Sequence, residues 1–190
     1  SYRPMRIISG KNKGKKIDLP IDKGTRPLRD MVKESIFNLI EHSNKFNVKI
    51  QNSIILDLFS GSGSFGLECF SRGAKSVTFI EEYIGALKIL KRNITKINAN
   101  ENCKIIEKNC FHYLESQNRF SEKFNIIFLD PPFKEKKINL LISKIKENQI
   151  LENNGLLIVH RHKNDDVDVT NHLNILEARD YGISKILFGN

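Results

Sequence analysis

Cysteine is scarce in this chain and poorly spaced for cross-linking. The three present, Cys69, Cys103 and Cys110, form an odd set without CxxC spacing, which argues against a disulfide framework and against a zinc site. Long apolar runs are missing too. Hydrophobic residues make up 39% of the 190 and charged residues 28%, and no stretch approaches the roughly 20 apolar residues of a transmembrane helix. No positively charged leader precedes an apolar segment. The expectation is a soluble, cytoplasmic, monomeric protein with neither a membrane partner nor a metal. Internal repeats, low-complexity tracts and linkers are also lacking, and the length suits one α/β domain that buries roughly 70% of its unfolded surface.

Acidic residues are absent from the first 16 positions, which hold Arg3, Arg6, Lys11, Lys13, Lys15 and Lys16. The net charge is +9, and residues 1–50 carry 12 Lys and Arg against 5 Asp and Glu, so the excess is concentrated at one end. Such a segment fits a contact with a phosphate backbone, and Arg6, Lys13, Lys15 and Lys16 are its candidate residues. The alternative is a solvated basic face.

Residues 6–9 and 16–19 read as short strands around a Gly10 to Gly14 loop, a basic hairpin over 1–24 ahead of a main domain over 25–190. Thr25-Arg26-Pro27 leads into a helix that Asp30 can cap, with Val32, Ile36, Leu39 and Ile40 as its apolar face. From residue 54 the pattern alternates: strand 54–58, helix 64–72, strand 76–80, helix 83–97, strand 104–107, helix 110–116, strand 125–130, helix 135–148 and strand 155–159. Repeated βα units predict a mostly parallel sheet covered on both faces. Segments 173–178 and 183–188 flank Asp180-Tyr181-Gly182 and read as an antiparallel pair closing the sheet.

Two motifs carry chemistry. Asp130-Pro131-Pro132-Phe133 ends an apolar strand (NIIFL). A carboxylate there, a turn frozen by two prolines and an aromatic ring suit a planar ligand bearing an exocyclic amine, so the four form a candidate nucleobase pocket. Asp57-Leu58-Phe59-Ser60-Gly61-Ser62-Gly63-Ser64-Phe65-Gly66 places G-x-G-x-x-G where the first long strand meets its helix. Its backbone N–H groups can approach a ligand closely, and Glu81, 20 residues after Gly61, can bind ribose hydroxyls. The pattern admits NAD or FAD. Asp57 within reach of a cationic amino-acid moiety, and the lack of a cation cluster for a pyrophosphate, favour S-adenosylmethionine.

Residues 5–16 (MRIISGKNKGKK), 25–40 (TRPLRDMVKESIFNLI), 56–74 (LDLFSGSGSFGLECFSRGA), 109–114 (NCFHYL), 125–133 (NIIFLDPPF) and Tyr181-Gly182 together resemble the bacterial 16S ribosomal RNA guanine-N2 methyltransferases. The resemblance runs in order along nearly the whole chain. It implies a seven-stranded Rossmann-like methyltransferase domain, S-adenosylmethionine as donor, and transfer to one guanine amine of 16S rRNA in the small subunit or its assembly particle. It puts the hairpin, Thr25 and Arg26 on the RNA side. Asp57, Phe59, Ser60, Gly61 and Gly63 would hold the methionine end of the cofactor, Glu81 the ribose, and Glu82, Tyr83, Asn109 and Cys110 the adenine. Asp130, Pro131, Pro132 and Phe133 would hold the guanine. Asn109 stands where an acid is common, and His160 where Glu is common; His160 reads as a hydrogen-bonded or partly exposed histidine without an assigned role.

Other readings compete with this one. A DNA or other RNA amino-methyltransferase of the N6-adenine type would share DPPF, although no target-recognition domain is evident. An NAD-binding oxidoreductase would use the glycine loop but leave DPPF and the hairpin unexplained. A catalytically inert RNA-binding protein would leave both motifs without use.

Overall fold

A computed structural model describes residues 5–20, 28–115 and 122–190; Thr25 and Arg26 lie outside them. The main sheet is built from β3 (Ile54–Leu58), β4 (Ser76–Ile80), β5 (Cys103–Ile106), β6 (Phe124–Leu129), β7 (Leu151–His162), β8 (Ile175–Tyr181) and β9 (Ser184–Gly189). Its order is β5-β4-β3-β6-β7-β9-β8. The five strands from β3 to β7 run parallel, and β9 is antiparallel to both β7 and β8. Helices α1 (Asp30–His42), α2 (Ser64–Ser71), α3 (Ile84–Lys96), α4 (Cys110–Glu115) and α5 (Ile138–Glu147) accompany it. The predicted α/β architecture and its antiparallel close are both present.

Strand alternation explains the two cores. Ile55, Ile126, Phe128, Leu156 and Ile158 point to one face, where they meet α1, α2 and α3; Leu56, Leu58, Ile127, Leu129, Leu157 and Val159 point to the other, against α4 and α5. Strands buried on both faces read as continuous apolar runs, as these do. Among the described residues no helix is long and apolar enough to cross a membrane.

The chain begins the sheet at β3, moves outward to β4 and β5, then returns to place β6 on the other side of β3. This reversal opens a crevice beyond the carboxyl ends of the strands, the usual ligand position in such sheets. Register aligns the ends: Leu58 pairs with both Ile80 and Leu129, Ile80 with Ile106, and Leu129 with Val159.

The N-terminal hairpin pairs only β1 (Met5–Arg6) with β2 (Lys16–Ile17), shorter than predicted. It is bound tightly nonetheless: Met5, Ile7 and Ile17 lie in the core with α1 and α2. The Glu68 carboxylate accepts the Ile8 and Ser9 amides at 2.9 and 3.1 Å, and Ser71 Oγ accepts the Asn12 amide.

Three local expectations need correction. Asp30 is the first helical residue rather than the cap; Arg29 holds that position without a side-chain bond, and the Asp30 charge instead complements the helix dipole. Helix α5 starts at Ile138, not 135, because residues after the second proline form a turn in which the Glu135 amide bonds Pro132 O. Strand β7 extends beyond 155–159 in both directions: a bulge lets Leu151 pair with Phe124, and β9 pairs with the polar end, Arg161 with Lys185 and His162 with Ser184.

Candidate active site

The crevice collects the two motifs. Asp57 lies in β3 with its side chain buried, and its Oδ2 accepts the Gly66 amide at 3.1 Å. Burial drives its pKa well above the ordinary carboxylate value, outweighing the Gly66 bond, and the nearby charges of Asp130 and Glu81 push it the same way. Among the described residues no cation forms an ion pair with it. Three carboxylates around one crevice make an electronegative cup that favours a cationic ligand.

The glycine loop is shaped for close approach. Gly61 and Gly63 have φ of 55° and 86°, and a side chain at Gly63 would strike Leu90 at 2.5 Å. Gly66 faces the Phe79 ring so closely that a Cβ would sit 2.4 Å from it, which is the close helix–strand packing expected of the third glycine. Phe59 also has a positive φ, 58°, an uncommon conformation for a side-chain-bearing residue. Ser60 donates its amide to Ile80 O at 3.1 Å, tying the loop to the end of β4.

Glu81 follows β4 and binds the loop directly. Its Oε1 accepts the Gly61 amide at 2.8 Å, and Oε2 accepts those of Glu82 and Tyr83 at 3.0 Å each. The carboxylate thus orders the loop by accepting three amides. Tyr83 is 48% exposed. Asn109 Oδ1 accepts the Phe111 amide at 2.8 Å, opening α4, and its Nδ2 donates to Glu82 at 3.3 Å. Cys110 is buried, and burial raises its thiol to about 12. It therefore stays neutral.

Across the crevice, Asp130 directly follows β6, with Pro131 buried and Pro132 exposed. Phe133 is 52% exposed, unusual for phenylalanine, with Lys136 Nζ 4.4 Å from its ring centre and the His162 ring edge-on at 5.1 Å. Such a ring offers a stacking surface.

Two residues of β7 bond the segment around Asp130: His160 is hydrogen-bonded and partly exposed, as expected, whereas the motifs gave no sign of Arg161. His160 Nδ1 lies 2.8 Å from Asp130 Oδ1, and Nε2 lies 2.9 Å from Ser184 Oγ. Arg161, 3% exposed, donates to Pro132 O, Phe133 O and Glu135 O at 3.3, 3.2 and 3.0 Å, while its Nε donates to Asp165 at 2.6 Å. One guanidinium therefore fixes the turn after Asp130. The available signal was a charged residue two positions after the apolar run 156–159.

The exposed Arg6, Lys13, Lys15 and Lys16 lie on the hairpin, which reaches the glycine loop through Lys33: its Nζ lies 3.2 Å from both Arg6 O and Ser64 Oγ. Among the described residues no group of three or more His, Cys, Asp or Glu could hold a metal ion.

Residues 5–190 match the family described as Conserved hypothetical protein 95, that of the small-subunit ribosomal RNA methyltransferases D. The chain belongs to this family. It is 33% identical to the ribosomal RNA small subunit methyltransferase D of Haemophilus influenzae over 180 residues, 94% of this chain and 90% of that one. With the protein of the same name from Buchnera aphidicola subsp. Baizongia pistaciae it shares 37% over 157 residues, 83% and 76% of the two chains. The solved structure of the Escherichia coli yhhF protein superposes with a TM-score of 0.81 at 27% identity, covering 98% and 97%. The family member's architecture is the S-adenosylmethionine-dependent methyltransferase fold.

Proposed function

We propose that this family member transfers a methyl group from S-adenosylmethionine to the exocyclic N2 amine of a guanine in 16S rRNA. Ribosomal RNA methylation is the activity its relatives' names carry; the base and atom rest on the resemblance alone. The observation that carries the reading is the pairing of two carboxylates at adjacent strand ends: buried Asp57 beside the glycine loop for the cationic donor, and Asp130 beside exposed Phe133 for the acceptor.

On the donor side, Phe59, Ser60, Gly61 and Gly63 would shape the methionine pocket with Asp57. Glu81 would hold the ribose, and Glu82, Tyr83, Asn109 and Cys110 would line the adenine. On the acceptor side, a guanine amine is a poor nucleophile because its lone pair is delocalised into the ring. The Asp130 carboxylate and a main-chain carbonyl each accept one N–H, which turns the lone pair toward the methyl carbon. The N–C bond forms as the C–S bond breaks, and sulfur keeps the electron pair. The amine, now cationic, gives a proton to Asp130. Alignment of two bound reactants can supply about 7–11 kcal/mol, and stacking on Phe133 offsets part of the few kcal/mol needed to unstack the base. Arg6, Lys13, Lys15, Lys16 and, by resemblance, Thr25 and Arg26 would engage RNA, the lysines chiefly through phosphate.

The test is transfer of labelled methyl from S-adenosylmethionine to small-subunit particles lacking native modification, followed by nucleoside digestion. N2-methylguanosine is the expected product. Label in N6-methyladenine, or on DNA alone, would overturn the acceptor assignment and leave the donor side standing.

A further inference from the structure

Asp130 does not stand alone at its strand end. His160 lies on the neighbouring strand, one position beyond the Leu129–Val159 pair, and faces it at 2.8 Å. An ionised carboxylate only accepts, so Nδ1 carries the hydrogen of this bond. The ring is held from behind by Ser184, 8% exposed at the start of β9. A hydroxyl can accept from or donate to Nε2, so this support suits both protonation states. The His160 and Asp130 side chains are 19% and 23% exposed, which sets them at the crevice wall rather than in the core.

We propose that His160 is a positioning residue for methyl transfer: its Nδ1–H fixes Asp130 Oδ1, so that Oδ2 is presented to the acceptor amine, and the neutral ring is the working form. The inference rests on Asp130 being the acceptor carboxylate. A carboxylate free to rotate would offer the amine two interchangeable oxygens; pinned at Oδ1 it offers one, in a single orientation. Protonation of the ring changes the charge at the site. An imidazolium beside Asp130 neutralises the carboxylate and puts a positive charge next to the amine as that amine itself becomes positive, which opposes transfer.

The ring touches Asp130 after β6 and Ser184 on β9, and Arg161, the next residue of β7, acts on it through its charge. Burial pulls the His160 pKa down, but the Asp130 charge and hydrogen bond outweigh both that and Arg161, so the net shift is upward from 6.5. Transfer should therefore rise with pH through a step shifted upward from 6.5.

NMR titration of the His160 ring and the pH profile of kcat test this together. His160 should titrate above 6.5, and Asp130→Asn should bring it down. The kcat profile should rise through the same pKa. His160→Asn, which keeps an N–H donor without titrating, should retain most of the rate at high pH and lose the step. His160→Phe should lower kcat about tenfold or more with the S-adenosylmethionine KM unchanged, the size expected for losing a hydrogen bond to a charged group. A His160 titration indifferent to Asp130→Asn, a His160→Phe enzyme with unaltered kcat, or a step that survives in His160→Asn would each overturn the proposal. If the unaltered protein methylates no nucleic acid, the methylation reading fails, while the NMR arm still decides whether the ring reports on Asp130.

Discussion

Lys33 Nζ lies 3.3 Å from Glu68 Oε1, and neither side chain is exposed. Glu68 also accepts the Ile8 and Ser9 amides and bonds Arg72 Nε at 2.8 Å, so one carboxylate joins α1, α2 and the N-terminal hairpin. Burial lowers the Lys33 pKa, and Glu68 acts to hold it up. Glu68→Ala leaves the buried Lys33 ammonium without its counter-ion and two amides without acceptors, and should cost roughly 3–5 kcal/mol, about 10 °C in Tm for a chain of this size. Thermal unfolding measures it; a Tm within a degree of wild type would show that the network carries no stability.

Arg161 holds the turn after Asp130 by three carbonyls. Arg161→Met keeps much of the apolar volume and removes every donor, so residues 132–135 should lose their fixed path. Methyl transfer should fall by about a hundredfold, the scale of a displaced catalytic group, while isothermal titration finds S-adenosylmethionine affinity within a few-fold. Equal losses of both would mean that the crevice as a whole had collapsed.

Asp165 gives this clamp an acid limit. Burial alone would raise its pKa, but hydrogen bonds from Arg161 and Lys136 outweigh it and bring it from 3.8 to about 2. The folded value lies below the unfolded one, so the contribution is complete above 3.8 and is lost as pH falls toward about 2. Asp165→Asn should lower stability at neutral pH and flatten the decline across that window. Denaturant unfolding from pH 7 downward reads the difference, and parallel curves for the two proteins would refute it.

Asp57 should divide from Asp130 by function. Asp57→Ala removes the buried carboxylate beside the loop and should weaken S-adenosylmethionine binding by at least about tenfold, whereas Asp130→Ala should abolish transfer and leave that affinity nearly intact. Calorimetry on both variants checks this, and equal loss of cofactor binding would contradict the division.

Lys13, Lys15 and Lys16 are exposed on the hairpin and should act through phosphate. Replacing each by Gln should lower the slope of log K against log salt by roughly one per lysine, with no change in Tm. An unaltered slope would leave them as a solvated basic face.

The sequence by itself determined the features that are local along the chain. Alternating βα segments, apolar runs buried on both faces and two turn motifs were enough to specify a parallel sheet, its antiparallel close, and the positions of Asp57 and Asp130 at strand ends, because periodicity and turn chemistry act over a few residues. Only the tertiary structure decided what those carboxylates and turns touch. His160 meets Asp130, and Arg161 meets the turn after it, because β6 and β7 run parallel in a set register and β9 extends β7 by three polar residues. Lys33 and Glu68, ordinary surface residue types, are buried because the N-terminal hairpin folds over them. A polar side chain is satisfied by whatever packing brings to it from distant segments, and that partner leaves no trace in the spacing of its own neighbours.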